Sequence, residues 1–145
     1  MPDEAALGTI RAAVDAVIPR VDGRAGAAEL DVSRHVVEAI ELYLPGFVDL
    51  LVTLLDAYAV DVRPDVAFTE LTHEERGEVL RAMSMEESPD MQDIVDALQV
   101  FTYGGFYSEW TGYERESRAL SPPAVWRDMG YRGPSLGHPD YREGI

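Results

Sequence analysis

The chain lacks cysteine and lysine altogether, has only three histidines, and contains no long uninterrupted apolar run. Each absence removes a class of chemistry. Without cysteine there are no disulfides, no thiolate metal sites and no cysteine nucleophile. Without lysine all 12 cations are arginines, set against 27 carboxylates for a formal net charge of −15. A field of that sign repels a phosphate backbone and an anionic bilayer surface, which argues against nucleic acid and membrane as partners. The most apolar stretch, Leu42 to Val60, is interrupted by Pro45, Asp49 and Asp56. Carboxylates near a bilayer centre are costly, so this stretch reads as a buried helix and not a membrane span. The N-terminal MPDEAALGTIRAAVDAVIPR has neither the basic nor the apolar region of a secretory signal, and a cytoplasmic location is the expectation.

What is present is enough for one domain. Hydrophobic residues make up 46% of 145, and a chain of that size buries roughly two-thirds of its unfolded surface. The charge is unevenly divided. Residues 1–111 hold 7 Arg against 22 Asp and Glu, whereas residues 112–145 hold 5 of each. We therefore expect a helical domain over 1–111 and a chemically distinct C-terminal segment over 112–145 that packs on the domain, on a partner, or on both.

Periodicity predicts an all-α fold of about five helices and no sheet. Leu7, Ile10, Val14, Val17 and Ile18 share one face of a first helix running from Asp3 to Ile18, which Pro19 stops. Asp31 or Ser33 can cap a second, with Val32, Val36, Val37, Ile40 and Tyr43 inside. Pro45 to about Ala59 is a third, apolar on most sides, as expected of a helix central to a core or lying under a partner. Phe68 to Leu71 fits a short helical turn. Thr72 and Glu75 form a T-x-x-E capping box for a fourth helix, and Pro89 suits the first turn of a fifth, whose stripe runs to about Trp110. From Gly112 to the end lie 4 Pro and 5 Gly in 34 residues, with Ser117–Leu120 and Pro123–Met129 as candidate short helices.

Catalytic signals are sparse. His35, His73 and His138 form no H-x-x-x-H pair, and Gly104-Gly105 is no phosphate loop. His138 and Asp140 in GHPDYRE are the nearest approach to a metal or acid/base pair, and Pro139 between them favours a turn. The Gly pair marks a kink, a close helix–helix contact, or close approach of a partner's backbone. The dense feature is aromatic: Tyr103, Phe106, Tyr107, Trp110, Tyr113, Trp126, Tyr131 and Tyr141, interleaved toward the end with arginines. Tyr, Trp and Arg dominate interface hot spots. The candidate partner-binding residues are therefore Tyr103, Gly104, Gly105, Tyr107, Trp110, Trp126, Tyr131, Gly133, Pro134, His138, Tyr141 and Arg142.

Several of these stretches resemble the small (gamma) subunit family of gluconate 2-dehydrogenase. They are Asp15–Pro19 (DAVIP), Gly26-Ala27 before the second helix, and Phe68 with Leu71 before a capped helix. The C-terminal set is Tyr103–Tyr107 (YGGFY), Trp126, Gly130-Tyr131, Gly133-Pro134 and Gly137-His138. The resemblance runs in order over nearly the whole chain, and Trp126 to Pro134 is its most specific piece. It implies a non-catalytic accessory subunit, with no cofactor of its own, that stabilises a large FAD-dependent oxidoreductase of the glucose–methanol–choline type acting on a sugar, sugar acid or related alcohol. Exported members carry a twin-arginine signal; its absence here makes a cytoplasmic complex the expectation. The rival readings are a stand-alone helical enzyme or metal-binding protein built on His138 and Asp140, and a self-associating helical domain. The isolated chain is expected to purify without flavin, haem or metal. An absorbance scan with elemental analysis checks this, and a stoichiometric metal would contradict it.

Overall fold

A computed structural model describes residues 2–131. Among them are six α-helices: α1 (Glu4–Val17), α2 (Val32–Tyr43), α3 (Phe47–Val62), α4 (His73–Ser84), α5 (Pro89–Tyr107) and α6 (Ala124–Met129). Two 3-10 turns, Phe68–Glu70 and Glu109–Gly112, and a two-stranded antiparallel hairpin, β1 (Tyr113–Glu114) with β2 (Ala119–Leu120), complete the order. The fold is all-α, a bundle of five helices with a sixth short one against the end of α5.

Local chemistry sets most boundaries. Asp3 caps α1, its carboxylate accepting from the Ala6 amide at 2.8 Å. The Thr72–Glu75 box closes in both directions: Glu75 N–H donates to Thr72 Oγ1 at 3.2 Å, and Thr72 N–H to Glu75 Oε2 at 2.7 Å. Of the two caps the sequence suggests for α2, Asp31 holds the N-cap position and Ser33 lies inside the helix. Asp31 takes the left-handed conformation and makes no side-chain cap, its carboxylate pairing with Arg34 at 3.3 Å, while Ser33 is buried. Helix α3 starts two residues later than predicted, at Phe47, because Gly46 turns the chain through φ +82°. Its first amides are satisfied from the preceding helix: Glu41 accepts from Gly46 N–H at 3.1 Å and Val48 N–H at 3.3 Å.

The core fills the space between α1 and α5. Ile10 and Val14, Val36 and Ile40, Leu51 and Leu55, Val79 and Met83, and Val95 and Leu98 are its members, one pair from each of these helices. Phe68 plugs its edge, fully buried, with its amide held by Asp56 Oδ1 at 2.9 Å. Burying a side chain of that size is worth about 2–3 kcal/mol. Tyr43, expected inside, is 70% exposed and stacks on Phe101 at 6.4 Å instead, since α2 ends there and leaves nothing above it. The predicted Ser117–Leu120 helix is half of the hairpin. Arg118 sits at φ +54°, outside the helical region, and Leu120 pairs with Tyr113. Helix α5 stops at Tyr107, short of Trp110, because Ser108 Oγ accepts from the Trp110 amide at 3.3 Å and opens a 3-10 turn.

The two adjacent glycines of α5 face opposite ways. A Cβ at Gly105 would stand 2.5 Å from His35 Cδ2 and 3.0 Å from Val32 Cγ1, whereas one at Gly104 would meet nothing within 4 Å. Gly105 is thus a contact between α5 and α2, and Gly104 is open helix surface. Gly104→Ala should raise stability by about 0.5–1 kcal/mol through helix propensity, and Gly105→Ala should lower it by about 1–3 kcal/mol through overpacking. Urea midpoints of the two variants measure the contrast, and equal effects would contradict the assignment of faces.

Candidate functional site

The C-terminal turn of α5 organises the surface on which the predicted aromatics meet. Tyr103 and Tyr107, one turn apart on its exposed side, stack with ring centroids 6.3 Å apart and planes 12° from parallel. Trp126, the third residue of α6, donates its indole N–H to the Tyr107 carbonyl at 2.6 Å. That carbonyl belongs to the last turn of α5 and has no acceptor role left inside the helix, so the indole caps it. Tyr131 meets Trp126 edge-on at 5.0 Å. Val125, beside Trp126 on α6, turns the other way and joins the core, where it anchors the short helix.

Trp110 reaches the same surface from the 3-10 turn. Its ring lies 5.2 Å from the imidazole of His35, and its indole N–H points to the Asp31 carbonyl at 3.4 Å. The guanidinium of Arg115 covers the ring at 4.7 Å and makes two bonds to the Glu38 carboxylate, at 2.7 and 2.8 Å. Between Trp110 and Trp126 opens a groove of about 680 Å³, walled by His35, Ser108, Glu109, Tyr113 and Leu120. Burial pushes the His35 imidazole below its ordinary pKa, partly opposed by the nearby Glu38 carboxylate.

Of the residues singled out in the sequence, Tyr103, Tyr107, Trp110, Trp126 and Tyr131 come together as one aromatic seam. Gly104 lies open beside it, and Gly105 lies beneath it, spent on the α2 contact. Gly133, Pro134, His138, Tyr141 and Arg142, with Asp140 of the rival enzymatic reading, fall outside the described residues. Sequence reasoning missed His35 and Leu120 as walls of the groove. His35 is 75 positions from Trp110, and no local pattern signals such a pairing. A second apolar surface also went unread: Leu42, Tyr43, Leu44 and Leu50 are all exposed around the α2–α3 turn. Among the described residues no three His, Asp or Glu side chains converge as a metal-ligand set, and no helix is long and apolar enough to cross a membrane.

Compared with known proteins, the chain matches no family model, no curated protein and no solved structure.

Trp126 is half-buried, not a core residue, so its truncation costs less than the 3–5 kcal/mol range of a core tryptophan. Trp126→Ala should destabilise by about 2 kcal/mol, from the lost indole bond and the uncovered Tyr107 and Tyr131 faces. Trp126→Phe should restore about half of that. Thermal unfolding of the pair checks the ordering; equal melting of wild type and Trp126→Ala would remove Trp126 as the anchor of α6.

Proposed function

We propose that the chain is a non-catalytic accessory subunit that binds and stabilises a large FAD-dependent oxidoreductase of the glucose–methanol–choline type, acting on a sugar, sugar acid or related alcohol, in a cytoplasmic complex. The observation that carries the reading is the aromatic seam. Tyr103, Tyr107, Trp126 and Tyr131 touch in sequence across the end of α5, with the Trp110 groove beside them. Rigid aromatics offer a large contact area at little cost in side-chain entropy, and exposed clusters of them mark interaction surfaces. Gly104, without a Cβ in the middle of the exposed face, lets a partner's backbone approach α5 closely. The resemblance of the YGGFY and W-x-x-x-G-Y-x-G-P segments to the gluconate 2-dehydrogenase small subunit supplies the class of partner. Binding only the native flavoprotein would stabilise it by mass action.

A self-associating domain is the second reading, favoured by the exposed Leu42, Tyr43, Leu44 and Leu50. The net charge of −15 sets two copies against each other, and a surface of the same kind serves a neutral or basic partner better.

Co-expression of the chain with a large FAD-dependent oxidoreductase of this type should yield a yellow complex that survives gel filtration. Tyr103→Ser with Tyr107→Ser, both at exposed positions, should weaken that complex at least tenfold, which corresponds to about 1.4 kcal/mol. Circular dichroism verifies that the bundle stays folded. No complex, or a double variant that binds as well as the wild type, would overturn the reading.

A further inference from the structure

Every polar or aromatic contact seen between the hairpin region and α2 lands on one stripe of that helix. Asp31 offers its carbonyl to the Trp110 indole, His35 packs its imidazole against the Trp110 ring, and Glu38 binds Arg115. These positions stand at i, i+4 and i+7 on a single helical face. His35 is the middle one. Behind it Gly105 presses so closely that a Cβ would collide with the ring, and in front stands Trp110. The imidazole is therefore held between α5 and the 3-10 turn, half-buried, with one edge on the groove.

We propose that His35 is the acid-sensitive element of a latch: its neutral imidazole seats Trp110 and the 113–120 hairpin on α2, and a proton on it releases them. The proposal concerns regulation of the aromatic groove and rests on the partner reading only for its use. Among the described residues, the charged and titratable groups around the ring come from α2 with its N-cap, the 3-10 turn and the hairpin. From α2 and its N-cap come Glu38, Arg34 and Asp31, the last two paired with each other at 3.3 Å. Glu109 comes from the 3-10 turn, while Arg115 and Tyr113 come from the hairpin. Helix α5 contributes the glycine. Of the carboxylates, Glu38 acts most on the imidazole, favouring its charged form, and it is already held by Arg115 at two bonds. A protonated His35 competes with Arg115 for that carboxylate. Arg115 in turn is the group that covers the outer face of Trp110.

The sign follows from burial. The latched state holds the imidazole below its ordinary pKa, so the released state binds the proton more tightly. The latch is at full strength above about pH 6.5, the pKa of a solvated histidine, and weakens as pH falls below it. Partner contacts made through Trp110 and the hairpin would weaken together with it.

The test uses the full chain alone. Nuclear magnetic resonance follows the His35 ring and the Trp110 indole from pH 7.5 to 5.5, and hydrogen exchange compares residues 109–121 with α1 and α4. The Trp110 signal should move with the same midpoint as His35. Exchange protection should be lost over 109–121 and kept in α1 and α4. His35→Gln should abolish the pH response, and Glu38→Gln should loosen the hairpin at both ends of the range. A Trp110 signal indifferent to His35 titration, or an acid response that persists in His35→Gln, would overturn the proposal. If His35→Gln fails to fold, coincidence of the two wild-type midpoints decides. Because no partner enters the measurement, failure of the flavoprotein to co-purify and failure of the latch are separate results.

Discussion

The close approach of α5 to α2 at Gly105 is the constraint on which the rest of the surface depends. With no side chain at 105, the two helices come near enough for His35 and Val32 to occupy the space a Cβ would fill. That brings the face carrying Asp31, His35 and Glu38 within reach of whatever follows α5. The chain after Tyr107 then needs only a 3-10 turn to set Trp110 on His35. A larger residue at 105 would lift α5 away and leave the groove without one wall. The glycine weakens the helix by roughly 1 kcal/mol relative to alanine, and the packing it permits offsets that cost.

Residues 113–131 are bound to the body by a different kind of contact from those within it. The bundle interior is mainly aliphatic, with Met83, Phe68 and Phe106 and the small polar residues Thr9, Ser33 and Thr102 among its buried side chains. The hairpin and α6 are held by aromatic rings, two indole N–H bonds and one arginine clamp, with Pro123 and Val125 buried beside them. Such contacts are individually small and depend on charge and geometry, so the outer layer can loosen while the bundle stays folded. A surface attached in this way suits recognition, since its shape can respond to pH or to a partner without loss of the core.

Much of the charge lies away from this region. The helical body carries 22 carboxylates against 7 arginines, and the hairpin brings Arg115 to Glu38 as one of the few clamps between the two parts. Any partner of this face meets an aromatic surface set in an acidic field. That combination discourages self-pairing more than it discourages a neutral or basic partner.

The sequence by itself determined the all-α class and most helix boundaries, because those rest on short-range physics. Asp3 caps the first turn of α1, Thr72 and Glu75 close their box, Pro89 opens α5, and the apolar spacing of Ile10, Val14, Val36 and Ile40 places them inside. It also marked the aromatic residues at 103, 107, 110, 126 and 131 as a set, by type and density. The tertiary structure decided what those residues touch. Nothing local could show that Gly105 faces inward and Gly104 outward, that Tyr43 overhangs the end of its helix, or that Glu41 caps the next one. Nor could the pattern around Ser117 to Leu120 reveal a hairpin, since its register is fixed by the pairing of Leu120 with Tyr113 and the left-handed turn at Arg118. The meeting of His35 with Trp110, across 75 residues, exists only because two helices pack, and packing is a property of the whole chain.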